Sequence, residues 1–336
     1  MRAFRRALLR WYDAAHRDLP WRNLPAPGAR RFYRVWLSEI MLQQTRVEAV
    51  IPYYGLFLKR FPSVKTLATA PEADVLTAWS GLGYYSRARN LHRAAKQMAA
   101  QGFPATYDDV VSLPGVGPYT AAALASIALD LPHAAVDGNV IRAISRLTND
   151  GSEITSPVSR RHFAVEAGLL LDPRRPGDFN QAMMELGATV CLPRTPACPS
   201  CPVAKFCAAR AAGTQRELPV KLKKPEARDV PLDLAILERD ARVFLMKRAS
   251  TERRLADFWE LPARHLLPHL QEAAMEKMSE FRHRIVNDRF HVAVWRVQLP
   301  NLHPPGLPEG HWVEIADLRR IPLTTVTRKA LAERLL

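Results

Sequence analysis

Two predicted helices are joined by the segment Leu113-Pro114-Gly115-Val116-Gly117-Pro118-Tyr119-Thr120-Ala121. Gly115 and Gly117 permit positive φ angles and leave backbone N–H groups uncovered, and Pro118 suits the first turn of the second helix. Open amides at a helix amino terminus form an anion site, which would hold a DNA phosphate without reading a base. A G-x-G turn is common by itself, so this interpretation depends on what surrounds it.

The chain around this segment has helical periodicity from Phe4 to about Asn180, with loops marked by proline and glycine. The run 35–42 predicts a buried helix, and a helix over 180–190 leads into a cysteine-rich stretch. No alternating strand pattern competes here. The first two thirds of the chain therefore predict an all-α region.

All four cysteines of the chain lie in that stretch, at Cys191, Cys198, Cys201 and Cys207. Four thiolates at short spacing suit a tetrahedral metal or an iron–sulfur cluster, and they make scattered core cysteines or a disulfide pair a poor explanation. Structural zinc sites usually show two close pairs, whereas this stretch has one C-x2-C and two longer gaps. The spacing favours a 4Fe–4S cluster, with zinc as the alternative.

The sequence changes character after the cysteines. Residues 213–229 are polar, basic and bracketed by prolines, which is typical of an interdomain linker. Beyond them the runs 234–237, 242–246 and 290–297 alternate as strands do, and 267–278 has the pattern of a helix. The carboxyl-terminal third therefore predicts a small α+β domain.

The overall charge narrows the choice of partners. The 336 residues carry 48 Lys and Arg against 33 Asp and Glu, a formal net charge of +15. Such an excess favours a polyanionic partner, with nucleic acid first and an anionic membrane surface second. No stretch has the length of a membrane span, and the amino terminus lacks the apolar core of a secretory signal. Metal-binding thiols then indicate a reducing, cytoplasmic location, associated with the nucleoid if the partner is DNA.

Five motifs in order resemble the MutY-type adenine DNA glycosylases of the endonuclease III superfamily, whose members share a helix–hairpin–helix. They are Trp36-Leu37-Ser38-Glu39-Ile40-Met41-Leu42-Gln43-Gln44-Thr45, Gly81-Leu82-Gly83-Tyr84-Tyr85, Leu113-Pro114-Gly115-Val116-Gly117, Val136-Asp137-Gly138-Asn139-Val140 and the four cysteines. The resemblance covers residues 8–210 strongly and the remainder weakly. It implies a helical catalytic region over 1–212, with a six-helix barrel at about 24–137 and a 4Fe–4S domain built from about 1–23 and 138–212. A Nudix-like domain would follow at 230–336, after the linker 213–229.

The resemblance also implies the catalytic residues. Glu39 lies in an apolar helix, where a carboxyl has its pKa raised and can act as an acid; by resemblance it would protonate adenine at N7. Asp137 is expected to cap a helix and to stabilise the cationic sugar. Tyr119 and Asn139 match residues beside that sugar. Lyase-competent relatives carry a Schiff-base lysine at the position of Tyr119, so a monofunctional glycosylase is expected.

Further positions match the family's contacts with DNA and adenine. The expected DNA contacts are Gln44, Thr45, Leu82, Tyr84, Gly115, Val116 and Gly117. The expected wall of the adenine pocket is Arg17, Leu19 and Trp21, with Gln181 bonding the adenine edge. Arg194 and Lys205 fit a basic loop that the cluster organises against the DNA backbone.

The carboxyl-terminal domain departs from the family. Residues 244–248 and 255–262 resemble the Nudix-like domain that reads 8-oxoguanine, but the family's Phe-Ser-His is absent from the matching stretch 281–291 and a longer loop is expected. Asn287, Asp288 or Arg289 would then take over part of the contact. The expected function is removal of adenine mispaired with 8-oxoguanine or guanine in double-stranded DNA, by a monomer. The alternatives are an endonuclease III-like lyase acting on oxidised pyrimidines, and a DNA-binding protein with a structural or redox-sensing cluster.

Overall fold

The computed structural model describes residues 1–22, 27–222, 226–252, 255, 257–268, 275–285, 287–297 and 307–334. Parts of the predicted domains, linker and reader stretch lie outside these residues, at 23–26, 223–225, 253–254, 256, 269–274, 286, 298–306 and 335–336. The chain forms two compact units, Met1–Leu222 and Lys223–Leu336. No helix in the described part of the chain is both long and apolar enough to cross a membrane.

The first unit is helical, as the periodicity predicted. Its helices are α1 (Arg2–Ala15), α2 (Ala29–Leu42), α3 (Val47–Arg60), α4 (Val64–Thr69), α5 (Glu72–Ala78), α6 (Tyr85–Gln101), α7 (Tyr107–Val111), α8 (Pro118–Leu129), α9 (Gly138–Thr148), α10 (Pro157–Leu170), α11 (Pro176–Thr189) and α12 (Ala208–Ala212). Short 3-10 helices at Cys198–Ser200 and Ala204–Phe206 carry or flank the last three cysteines.

Two hydrophobic cores hold this unit together. The first is built from α2 to α8 and the segment that carries Leu19 and Trp21. The second is built from α1, α9, α10 and α11 with the cysteine-rich segment. Helix α8 is buried from Thr120 to Ala128, and its many alanines let neighbouring helices approach closely. It begins at the hairpin, so the hairpin is fixed to the centre of the unit.

The second unit contains β1 (Arg228–Arg239), β2 (Arg242–Lys247), β3 (Trp259–Glu260), β4 (Met275–Ile285), β5 (Asp288–Val297), β6 (His311–Glu314) and α13 (Thr325–Ala330). The sheet order is β3-β2-β1-β5-β4, with β6 also paired to β2. Strand β1 runs parallel to β5 and antiparallel to β2. Leu234 and Ile236 enter one hydrophobic cluster while Ala235 and Leu237 enter another, so β1 is covered on both faces.

The three predicted strands are present, but the helix predicted over 267–278 is wrong where it is described. Met275 to Met278 begin β4, which pairs antiparallel with β5. A β-bulge between Lys277 and Ser279 shifts the register there and interrupts the alternation that marks a strand. Pairing with a partner strand outweighs the local helical pattern at this point.

Candidate active site and DNA-contact elements

The hairpin before α8 depends on Gly115. Its φ is +79°, and a Cβ there would lie 2.7 Å from Asn90 Cβ, so only glycine fits both the backbone and the space. Gly117 does not use the positive φ that glycine permits, because its φ is −95°. Val116 donates its N–H to Leu113 O at 3.1 Å. The Gly115 and Gly117 N–H groups have no hydrogen-bond partner among the described residues, which leaves two donors for an anion.

Glu39 is a buried acid on α2, with 9% of its surface exposed. Burial raises the pKa of its carboxyl to about 7, against a hydrogen bond with the Tyr119 hydroxyl that lowers it, and the nearby charge of Asp137 raises it further. A carboxyl with this pKa is substantially protonated at neutral pH. It therefore has the protonation state that a general acid needs.

Asp137 caps α9, as the sequence predicted. Its Oδ1 accepts the backbone N–H groups of Asn139 at 2.9 Å and Val140 at 2.7 Å, and its Oδ2 accepts Asn139 Nδ2 at 2.9 Å. These bonds fix the carboxylate at a helix amino terminus, where the helix dipole favours negative charge. Glu39 and Asp137 thus stand near each other in different environments, one apolar and one hydrogen-bonded to the backbone.

Tyr119 lies in the first turn of α8, close to both of these carboxyls. Burial, with the charges of Glu39 and Asp137, raises the pKa of its hydroxyl well above 10. The hydroxyl also lies 3.7 Å from Met184 Sδ of α11. Tyr119 is therefore a neutral hydrogen-bonding group in the site, and it has no amine with which to form a Schiff base.

A second acid, Glu185 of α11, was missed by the sequence reasoning. Its Oε1 accepts Arg17 Nε at 2.8 Å, and its Oε2 accepts Arg17 Nη2 at 3.0 Å and Arg22 Nη2 at 2.7 Å. Burial alone would raise the pKa of this carboxyl, but hydrogen bonds from Arg17 and Arg22 outweigh burial and lower it to about 2. Arg17 is thus held by an ion pair that fastens its segment to α11.

The remaining predicted pocket residues lie along the same segment and helix. Leu19 and Trp21 are 5% and 7% exposed and pack in the first core, with Trp21 edge-on to Tyr54. Gln181 lies on α11 one turn before Glu185, on the same side of the helix. Its half-buried amide has no hydrogen-bond partner in the described part of the chain. The amide is therefore free for a ligand, while Leu19 and Trp21 are packed.

The segments 43–45 and 82–84, which carry the predicted DNA contacts Gln44, Thr45, Leu82 and Tyr84, meet around one buried cation, Arg87, which is 8% exposed. Its Nη1 donates to Ile40 O at 3.0 Å and Met41 O at 2.8 Å, the last carbonyls of α2. The same nitrogen reaches Gln43 O, and Nη2 reaches Thr45 Oγ1, Leu82 O and Gly83 O. Gln44 and Tyr84, beside these contacts, have positive φ angles of 56° and 50°. One side chain therefore fixes both segments in conformations that are otherwise unfavourable.

Leu82 and Tyr84, two of the predicted DNA contacts, differ in accessibility. Leu82 is 7% exposed and packs in the first core, whereas Tyr84 is 58% exposed. The Arg87 guanidinium lies 5.4 Å from the centre of the Tyr84 ring and 5.4 Å from that of Trp79. The Tyr84 ring is therefore open to solvent and stabilised by the Arg87 guanidinium, whereas Leu82 would have to leave the core to enter a duplex.

The four cysteines line one small cavity, together with residues of α9 and α11. All four are free thiols and half-buried, and burial, with its cysteine neighbours, raises the pKa of Cys201 to about 11. Arg146 Nη1 lies 3.2 Å from Cys191 Sγ. The donor set suits an iron–sulfur group, since it offers four thiol ligands with a cation beside them. This fit rests on the chemistry of the donors alone, because no set of three or more His, Cys, Asp or Glu side chains among the described residues has the geometry to hold a metal ion.

Arg142 connects the cysteine-rich segment to Asn139, which in turn binds the helix-capping carboxylate of Asp137. Its Nε donates to Cys191 O at 2.8 Å, and its Nη2 donates to Gly187 O at 2.7 Å and Asn139 Oδ1 at 2.8 Å. Asn139 in turn donates to Asp137. Arg194 and Lys205 lie in the cysteine-rich segment as predicted, and Lys205 stands 5.1 Å from the centre of the Phe206 ring.

The residues that sequence reasoning missed share one signal. Arg87, Arg142 and Glu185 are charged side chains on the apolar faces of their helices, where each is buried beside alanine, isoleucine or leucine. A charge on the buried stripe of an amphipathic helix is unfavourable unless it is paired. That pattern predicts a buried ion pair or cap, although it does not reveal the partner.

In the second unit, the β4–β5 hairpin carries the stretch expected to read the base opposite adenine. Ile285 pairs with Asp288, so the connection is short and the expected longer loop is wrong. Arg228 binds Asp288 at 2.9 Å, and Arg289 lies 3.4 Å from Asp229. Asn287 is the uncharged one of the three proposed reader residues, and its side chain has no hydrogen-bond partner among the described residues.

A helix–hairpin–helix that presents free amides, next to a buried carboxyl and a helix-capping carboxylate, defines the class of base-excision glycosylases. Residues 37–165 match the family described as "HhH-GPD superfamily base excision DNA repair protein". A thermostable thymine-DNA glycosylase superposes with a TM-score of 0.56 at 26% identity, over 63% of this chain and 96% of that one. An endonuclease III–DNA complex superposes with a TM-score of 0.51 at 20% identity, over 63% of this chain and 96% of that one, and shows the shared fold.

Curated relatives narrow the class further. The adenine DNA glycosylase of Mus musculus is 46% identical over 238 residues, 69% of this chain and 46% of that protein. That of Buchnera aphidicola subsp. Baizongia pistaciae is 34% identical over 252 residues, 73% of this chain and 69% of that protein. The chain belongs to the adenine DNA glycosylase family within the HhH-GPD superfamily. It spans about half the length of the mammalian relatives it matches.

Proposed function

We propose that this chain, as a monomer, hydrolyses the N-glycosidic bond of adenine mispaired with 8-oxoguanine or guanine in double-stranded DNA. The observation that carries the proposal is that Glu39, whose pKa is raised to about 7, lies near Asp137, whose side chain caps α9. A carboxyl with a raised pKa, beside a second carboxyl that hydrogen bonds hold in place, is the arrangement that acid-assisted glycoside cleavage requires. The adenine DNA glycosylase relatives support adenine as the base removed.

The proposed reaction starts with the adenine outside the helix stack, at a cost of a few kcal/mol. Glu39 donates its proton to adenine N7 as the C1′–N9 bond breaks, and the bonding electrons leave with the base. Asp137 stabilises the positive charge that develops on the sugar, with Asn139 holding its Oδ2. Water then adds to C1′ and loses a proton, which leaves an intact abasic site. The Tyr119 hydroxyl keeps the Glu39 carboxyl in place.

The proposal is tested by single-turnover adenine release from duplexes with adenine opposite 8-oxoguanine, guanine, cytosine or thymine, followed by alkaline strand cleavage. Rapid release opposite 8-oxoguanine and slower release opposite guanine would support it. Equal rates opposite the two would retain the enzyme class and reject reading of the lesion by the β4–β5 hairpin. Strand cleavage without alkali, or a borohydride-trapped adduct, would indicate the lyase alternative instead.

The dependence of the adenine-release rate on pH should follow the protonation of Glu39. Its folded-state pKa is raised to about 7, so the acid is available below that pH and is lost above it. The rate constant for release should therefore fall towards tenfold per pH unit above about 7, for as long as this carboxyl supplies the proton. A rate that rises through pH 7 to 8 would contradict the acid role of Glu39.

We propose further that the four cysteines hold a 4Fe–4S cluster, which would join α11, the two 3-10 turns and α12 into one body. Replacement of Cys198 by serine should then lower the iron content below the expected level of about four atoms per chain. It should also lower the unfolding temperature, because free energy of cluster binding contributes to folding. Ser200→Ala, in the same 3-10 turn, is the control. Full iron and acid-labile sulfide in the Cys198→Ser protein would contradict Cys198 as a ligand.

A further inference from the structure

A large basic cleft lies between α1 and the segment before α11. Its volume is about 1060 Å³, and its lining includes Arg2, Arg5, Arg6, Arg10, Arg174 and Arg175 against two aspartates, Asp13 and Asp172. Neither the acid pair nor the hairpin lines this cleft. It is therefore a separate concentration of positive charge in the first unit.

Half of these arginines are committed to protein partners. Arg5 donates through Nε to Leu170 O at 2.9 Å and through Nη2 to Leu169 O at 2.9 Å, so it caps the carboxyl end of α10. Arg175 pairs with Asp13 at 2.6 Å and Asp178 at 2.8 Å, and Arg174 lies 3.8 Å from Asp172. The acids of the cleft are thus already paired and do not neutralise the other side.

Arg2, Arg6 and Arg10 form that other side. All three are exposed, and none has an ion-pair partner in the described part of the chain. They follow one another every four residues along α1, so their side chains leave one face of the helix about 6 Å apart. Like charges at this spacing destabilise a helix. An anion that bound the whole row would remove that repulsion.

The cleft lies at the opposite end of α11 from the acid pair. Arg175 directly precedes α11, whereas Met184, which approaches Tyr119, is nine residues further on. At the rise of an α-helix this separates the two points by about 13 Å along the axis. Near the cleft, Gly177 packs against Ser126 and Ile127, in the half of α8 away from the hairpin. A phosphate in the cleft would therefore be additional to one held by Gly115 and Gly117.

We propose that this arginine cleft binds the phosphate backbone of duplex DNA as a second contact, independent of base recognition. The planar guanidinium fork suits phosphate oxygens, and a row of such groups suits the regular charge of a backbone. The proposal rests on the proposed function only in taking duplex DNA as the ligand. The phosphates would come either from the flank of the substrate duplex or from a second duplex.

The test compares two double variants with the same loss of charge. Arg6→Gln with Arg10→Gln removes the centre of the row and keeps most of the alkyl chains. Arg160→Gln with Arg161→Gln is the control, because both side chains are exposed on α10, outside the cleft, with no ion-pair partner among the described residues. Far-UV circular dichroism and the unfolding temperature establish that both variants fold as the parent does.

Affinity for an undamaged duplex is then measured over a range of NaCl concentrations. Loss of two phosphate contacts should flatten the slope of log K against log salt by about 1.8 for the cleft variant and leave the control at the parent slope. Equal slopes for the two variants would overturn the proposal. An effect seen only with long duplexes would indicate the flank as the source. Dissociation that competitor duplex accelerates in the parent but not in the cleft variant would indicate a second duplex.

Adenine release at saturating protein separates this proposal from the proposed function. Neither double variant touches the acid pair, so both should release adenine at the parent rate under single-turnover conditions. A parent protein that binds DNA with the expected salt slopes but releases no adenine would reject the proposed function and leave the cleft intact. Normal adenine release together with equal salt slopes would reject the cleft proposal and retain the proposed function.

Discussion

The Glu39→Gln protein is expected to release adenine about 100- to 10,000-fold more slowly than the parent at pH 7, while it binds the same duplex with unchanged affinity. Glutamine keeps the size of the side chain and its hydrogen bond to Tyr119, but it has no acidic proton to give to the departing base. The measurement is single-turnover release beside a binding titration on the same DNA. Glu166→Gln, a half-buried glutamate on α10 away from the acid pair, is the matched control.

Stability distinguishes loss of the acid from loss of the fold. Burial raises the folded-state pKa of Glu39 from 4.5 to about 7, so its contribution to stability is fully present below pH 4.5 and is lost as pH rises through 7. A shift of this size corresponds to roughly 3 kcal/mol at alkaline pH. The Glu39→Gln protein lacks that loss, so at pH 8 it should unfold at the parent temperature or above it. Slow release together with a lowered unfolding temperature would instead mean that Glu39 acts through packing.

The family resemblance identified the acid pair, and the neighbours of each member in the chain agree with the environment that the structure gives it. Glu39 follows Trp36 and Leu37 and precedes Ile40 and Met41, and this composition predicts both burial and a raised pKa. Asp137 stands before Gly138 at a helix start, which predicts a cap. Gly115 likewise fits its turn. In each case the determining interactions are local.

The supports of the site were not predictable, because their partners are distant in the chain. Arg17 and Glu185 are 168 residues apart, and Arg87 reaches Ile40 across 47 residues. A helical pattern shows that Glu185 faces the core but does not show which cation meets it. The wrong prediction of helix at Met275–Met278 has the same cause, because β4 forms through its pairing with β5. Contacts between residues far apart in the chain thus determine the buried ion pair, the position of Arg87 and strand β4, which local sequence patterns did not predict.

Arg87→Met is expected to destabilise the protein by at least about 3 kcal/mol. Methionine fills much of the space but donates no hydrogen bond. The carbonyls of Ile40 and Met41, at the end of α2, would lose a buried donor, and so would those of Leu82 and Gly83. Each acceptor left unsatisfied in the interior costs about 1–3 kcal/mol. Urea unfolding measures the total.

Two further variants show that the loss comes from the hydrogen bonds of Arg87. Arg89→Met, on the same helix, removes an arginine whose only ion pair among the described residues is with Glu72 at 3.4 Å, and it should change stability by less than about 0.5 kcal/mol. Arg87→Lys keeps the charge but offers three donors without the planar fork, so it should fall between the parent and Arg87→Met. Equal stability of Arg87→Met and Arg89→Met would contradict a stabilising role for the hydrogen bonds of Arg87.

Arg87→Lys also tests whether the hydrogen bonds of Arg87 order segments 43–45 and 82–84 in addition to stabilising the fold. Arg46 follows Thr45, which Arg87 holds at 3.1 Å, and it is exposed at the start of α3. Under conditions in which the protein stays folded, trypsin should cut after Arg46 faster in Arg87→Lys than in Arg89→Lys, because the first variant frees the segment that precedes it. The same variant should bind duplex DNA more weakly, since Gln44 and Tyr84 would no longer be held at positive φ. Unchanged cleavage after Arg46, with weakened stability, would restrict Arg87 to a role in the core.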